Sequence, residues 1–60
     1  MSALDIEFYT INQIAELLQV HRETVRRWIL DEQLDAIMIG REYRISKSDL
    51  ETFLDDRKLL

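Results

Sequence analysis

The chain has 60 residues, 47% of them hydrophobic and 33% charged, with a formal net charge of −4 and no cysteine. That length permits one small domain, which buries only about 60% of the surface its unfolded form exposes, so a stability of a few kcal/mol is expected. The apolar fraction excludes a disordered chain, the lack of cysteine excludes disulfides and thiolate metal sites, and no apolar run reaches the roughly 18 residues of a membrane span.

Charge is unevenly placed. His21 to Lys47 carries six basic and five acidic residues, and the remainder carries two basic and seven acidic. Arg22, Arg26 and Arg27 form one basic cluster; Arg41, Arg44 and Lys47 form a second, both on an acidic body. Focused positive charge of this kind permits local contact with nucleic acid while limiting nonspecific adhesion.

Residues 1–7 read as a loose lead-in in which only Leu4 and Ile6 can pack, without the basic and apolar regions of a signal peptide. Order is predicted to begin at Tyr9. Thr10 followed by Gln13 matches a capping box, and Tyr9 with Ile14 matches the accompanying hydrophobic staple. Ile11, Ile14, Ala15, Leu17 and Leu18 then recur at helical spacing. Gln19-Val20-His21 is long enough only for a tight turn, with Val20 tucked between helices and His21 at the next N-cap. The first position of such a turn needs a left-handed backbone, so Gln19 is expected to cost about 1 kcal/mol relative to glycine.

The second helix is predicted over 22–31. At 100° per residue, Val25, Trp28 and Ile29 share a buried arc. Glu23, Arg26 and Arg27 occupy the opposite arc, with Arg22 and Thr24 at its edges. A short helix with a tryptophan anchor behind and arginines in front suits a DNA major groove, where guanidinium groups meet phosphates and guanine edges. Its end at Asp31 or Glu32 is mildly opposed by the helix dipole, and Arg27 stands one turn back to offset it.

From Leu34 the period changes. Ile37, Ile39, Tyr43 and Ile45 alternate around the lone Gly40 and predict a hairpin wing over 37–45. If all four face inward, Ile39 sits opposite Tyr43 and the loop is Gly40-Arg41-Glu42, with Met38 and Arg44 pointing outward and Arg41 at the tip. Two strands alone are unstable in water, so the apolar face is expected on the helices. Ser46 with Asp49 starts a third helix, in which Leu50, Phe53 and Leu54 face the core and Glu51, Asp55 and Asp56 form an acidic outer face. Arg57 and Lys58 suit its C-terminus.

Helix, tight turn, helix, hairpin, helix is a mainly α winged helix-turn-helix with a small β-hairpin, expected over 8–58. The residues filling it resemble the small excisionase-like DNA-binding domains, relatives of the mercury-resistance-regulator (MerR) superfamily. The matching stretches are Tyr9-Thr10-Ile11 into Ile14-Ala15-Glu16-Leu17-Leu18, Val20 to Ile29, Leu34-Asp35-Ala36, Ile39-Gly40-Arg41-Glu42-Tyr43-Arg44-Ile45, and Asp49-Leu50. The resemblance implies double-stranded DNA as partner, with the second helix in the major groove and the wing on the backbone or minor groove. By position it assigns groove or phosphate contacts to Arg22, Thr24, Arg26 and Arg27, and wing contacts to Arg41 and Arg44. Lys47, the third member of the second basic cluster, joins them as a candidate. This chain departs from the family at Gln19 and Glu32, where glycine is usual, at His21, where serine is usual, and at Asp35 and Met38.

The expected function is sequence-specific DNA binding, either as an excisionase-like architectural factor beside a recombinase or integrase or as a small transcriptional regulator. The acidic face of the third helix meeting the basic wing of a neighbour predicts head-to-tail self-association on DNA. A prokaryotic or phage-type, cytoplasmic and nucleoid-associated protein without a membrane or cofactor is expected. The alternative is a protein-interaction module on the same fold, motivated by the net acidity and by Leu30 and Met38. Nothing in the chain pairs a nucleophile with a base in a definable cleft, so no enzyme is expected.

Overall fold

The computed structural model describes residues 6–57; most of the expected lead-in, residues 1–5, and Lys58 lie outside the described residues. Strand β1 (Phe8–Tyr9) precedes helices α1 (Ile11–Leu18) and α2 (Arg22–Leu30), strands β2 (Ile37–Ile39) and β3 (Glu42–Ser46), and helix α3 (Lys47–Arg57).

The helix starts form as the side chains dictate. Thr10 Oγ1 accepts from the Gln13 N–H at 3.1 Å while Gln13 Oε1 accepts from the Thr10 N–H at 2.9 Å, completing the capping box. Such a cap contributes about 1 kcal/mol. Ser46 caps the start of α3 by the first of these bonds alone, its Oγ accepting from the Asp49 N–H at 3.0 Å. His21 occupies the N-cap of α2 in extended conformation but contributes no side-chain hydrogen bond. Its carbonyl accepts from the Thr24 and Val25 N–H groups instead.

Both helices of the pair end in the same way. Gln19 is left-handed at φ 58°, and the Val20 N–H donates to the Ala15 carbonyl at 2.9 Å. Glu32 is left-handed at φ 61°, and the Gln33 N–H donates to the Trp28 carbonyl at 2.8 Å. These are Schellman closures, in which glycine normally holds the left-handed position. Gln19 and Glu32, where the resembled family usually has glycine, therefore carry the strain of a Cβ at the C-terminus of each helix, up to about 1 kcal/mol apiece.

The core joins every layer. Ile14 of α1, Val25 of α2, Leu34 from the connecting loop and Ile45 of β3 are fully buried, with Ala15, Leu50 and Phe53 beside them. Trp28 and Ile29 are half-buried against this cluster, as are Tyr9, Val20 and Leu54. Trp28 meets Phe53 with ring centroids 4.8 Å apart, and the Arg57 guanidinium lies 4.4 Å from the Phe53 ring centroid and 5.8 Å from that of Trp28. The first helix pair is thus tied to α3 by aromatic and cation–π contacts.

The sheet corrects two expectations. It has three strands in the order β1-β3-β2, because Phe8 and Tyr9 pair antiparallel with Ser46 and Ile45. The β1 pairing escaped the sequence reading, since two residues carry no detectable alternation. The hairpin register is also shifted. Ile37 pairs with Arg44, Met38 with Tyr43 and Ile39 with Glu42, which leaves a two-residue loop, Gly40-Arg41. Side chains directly opposite share a face. Met38 therefore lies on the face of Tyr43 and buried Ile45, while Ile37 and Ile39 join Arg44 and Glu42 on the outer face.

The expected parity assumed that Ile37 and Ile39 are buried. They are 48% and 51% exposed, so no core contact selects their face. Turn chemistry decides instead: Gly40 at φ 65° followed by a residue without positive φ matches the II′ loop that favours glycine at its first position. The result is a mainly helical domain with a small sheet, a winged helix-turn-helix.

Candidate nucleic-acid interface

Three elements converge on one open groove of about 320 Å³, lined by Thr10, Ile11, Asn12, Arg22, Glu23, Arg26, Arg41, Glu42 and Tyr43. The start of α1, the exposed arc of α2 and the wing each supply part of this lining. The tight turn at Gln19 packs α2 against α1, and Arg22, Glu23 and Arg26 line the same groove as Thr10, Ile11 and Asn12.

The groove gathers Arg22, Arg26 and Arg41 from the two separate basic clusters. Arg22 and Arg26 are one turn apart on α2, and Arg41 enters from the wing because Gly40 turns the chain there. All three are exposed, and none has an ion-pair partner among the described residues. Guanidinium groups held this way can reach an anionic backbone from both sides.

The other candidates lie elsewhere. Arg27 is exposed on α2 outside the groove, and it makes no ion pair with Asp31 among the described residues. Thr24 is half-buried at the edge of the same helix. Arg44 is on the outer face of the wing, where its Nη1 lies 3.2 Å from Glu42 Oε1 and donates to the Tyr43 carbonyl at 3.3 Å. Its side chain is only 29% exposed. Lys47 lies 3.9 Å from Glu7 Oε2, in a separate hollow with Ile6, Ser48 and Glu51. Two of the three residues in the second basic cluster are therefore partly neutralised by acids close in space.

Thr10, Asn12 and Tyr43 were not picked out from the sequence as site residues, yet they line the groove. The capping box at Thr10 signalled a helix start, whose amide groups favour anions. Only the tertiary fold puts that start beside the arginines. Among the described residues no cluster of histidine, cysteine or acidic side chains could hold a metal ion, and no helix is long and apolar enough to cross a membrane.

No curated protein and no solved structure matches the chain significantly. A family model described as a helix-turn-helix domain matches residues 8–58, nearly the whole sequence. That match agrees with the capped helices, the tight turn at Gln19 and the wing, and the chain belongs to this helix-turn-helix domain family.

Proposed function

We propose that residues 8–58 form a sequence-specific, double-stranded DNA-binding domain, preceded by a lead-in over residues 1–7. The carrying observation is the groove in which Arg22, Arg26 and Arg41 converge from two elements. Helix α2 enters the major groove, where Arg22, Thr24, Arg26 and Arg27 reach base edges and phosphates. Arg41 follows the adjacent backbone or minor groove, with Arg44 and Lys47 as weaker contributors held back by Glu42 and Glu7. Thr10 and Asn12 border the path of a phosphate at the start of α1.

The electrostatics bound the affinity. Arg22, Arg26, Arg27 and Arg41 are the candidate residues without an acidic partner among the described residues. Four neutralised phosphates give a slope of log K against log salt of about −3.6, which is modest. One such module covers about 600–1,000 Å² of interface, so useful occupancy calls for neighbouring copies or a partner protein. The acidic outer face of α3, with exposed Glu51, Asp55 and Asp56, suits head-to-tail contact with the basic wing of the next copy. These properties favour an excisionase-like architectural factor working beside a recombinase on adjacent sites, with a small transcriptional regulator as the other role. Either places the protein in a prokaryotic or phage-type cytoplasm, at the nucleoid, and neither calls for catalysis.

The test is selection of a duplex from a random pool, followed by titration on one site and on two adjacent sites. Specific binding with that slope and tighter per-site affinity on two sites is expected. Equal affinity for every sequence at all salt concentrations would overturn the DNA reading. Bending of the selected site, with stimulation of a recombinase, separates the architectural role from regulation. A protein-interaction module is the second reading, favoured by exposed Leu30, Ile37, Met38 and Ile39; it predicts no salt-dependent duplex binding.

A further inference from the structure

The exposed arc of α2 has an acid at its middle. At about 100° per residue, Arg26 lies about 60° to one side of Glu23 and Arg27 about 40° to the other, with Arg22 and Thr24 beyond them. Glu23 is exposed and lines the groove together with Arg22 and Arg26. Arg26 and Arg27 follow it at the spacings where a helical glutamate and a cation attract each other, yet Glu23 makes no ion pair among the described residues. Its carboxylate is an uncommitted acceptor with arginines on both sides.

Position on the arc decides what each side chain can meet. Phosphates border a major groove on its two sides, and base edges form its floor. A helix lying in the groove sends the sides of its exposed arc toward phosphates and the middle toward bases. The N-terminal residues of such a helix are also the ones that reach base edges, and Glu23 is the second residue of α2. A carboxylate is repelled by phosphate but accepts hydrogen bonds from donors on the floor. Only the amino groups of cytosine and adenine donate there, and adenine sets its N7 acceptor beside its N6 donor. Cytosine is therefore the base that suits a carboxylate.

We infer that Glu23 is a specificity-determining residue whose carboxylate accepts from the N4 amino group of a cytosine in the major groove. This rests on the DNA reading proposed above, and gives within it a role that no arginine can fill. The guanine paired with that cytosine offers its O6 and N7 acceptors to a neighbouring arginine of the arc. An acid in the first turn also suits the helix dipole. A role confined to the dipole predicts something different, because removing the charge then tightens binding to every duplex alike.

Selection from a random duplex pool with the wild-type chain, Glu23→Gln and Glu23→Ala tests the assignment, with thermal melting to check that each protein is folded. The wild type should select cytosine at one position and lose about tenfold in affinity when that base pair is replaced. Glu23→Gln exchanges an acceptor oxygen for an amide donor, which matches adenine N6 and N7, so the preference at that position should move to adenine. Glu23→Ala should leave that position without preference and the other selected positions unchanged. Neither substitution should alter the salt slope, because no phosphate contact is lost. The two variants are independent, and either one decides the matter. A wild-type motif without cytosine, or the same motif from all three proteins with the variants merely tighter on every duplex, would overturn the assignment and leave the DNA reading standing. A folded wild-type chain that binds no duplex in a salt-dependent way would overturn both.

Discussion

The helix pair and the wing solve the same problem of placing arginines, with opposite means. The α1–α2 unit is held by buried Ile14 and Val25, by the cap at Thr10 and by two Schellman closures, and its arginines make no ion pair among the described residues. The wing has one fully buried residue, Ile45, and a whole strand of exposed apolar side chains, with Arg44 engaged by Glu42. Burial determines the geometry in the first region, whereas turn chemistry and local charge determine it in the second. The contrast teaches that a rigid reading element and an adaptable one can be built in one small domain by distributing the core unequally.

The largest expected effect strikes the packed region. Trp28→Ala removes the ring that meets Phe53 and Arg57, and should cost about 3 kcal/mol, the low end for a large aromatic because Trp28 is only half-buried. Thermal melting checks this, and an unchanged midpoint would mean that the aromatic contact does not hold α2 to α3. Next, Arg26→Ala should leave the melt unaltered and weaken specific duplex binding by about 1–3 kcal/mol if it reads a base. Equal loss on specific and random duplexes would instead make it a phosphate contact.

Backbone strain gives a smaller and signed comparison. Gln19→Gly and Glu32→Gly should each stabilise the helix pair by up to about 1 kcal/mol, since both positions are left-handed. Gly40→Ala should destabilise the wing by a similar amount, although nothing lies within 4 Å of the added Cβ. Its cost is purely conformational, so chemical denaturation should show the three substitutions with opposite signs. The smallest effect is expected at the wing ion pair. Arg44→Ala should change duplex affinity by less than about 0.5 kcal/mol, because Glu42 already partners it. Glu42→Gln releases that arginine and should steepen the salt slope by about 0.9 if it then reaches a phosphate.

Local chemistry wrote much of this protein in its sequence. The capping box at Thr10, the N-cap at Ser46, the left-handed turn at Gln19 and the buried arc of α2 follow from interactions spanning a few residues, which survive without knowledge of the rest of the chain. The exposed arc bearing Arg22, Arg26 and Arg27 follows from the same helical period. The wing was legible as a hairpin with Gly40 at a positive φ, but its register was not, because alternation reports a face only where a core selects one. The pairing of Phe8–Tyr9 with β3, the burial of Leu34 and the neutralisation of Lys47 by Glu7 join residues distant in sequence. Convergence of Arg22, Arg26 and Arg41 with Thr10 and Asn12 is likewise a tertiary outcome. Sequence spacing determines which side chains share a helix face; only the packing of separate elements around Ile14, Val25, Leu34 and Ile45 decides which faces meet.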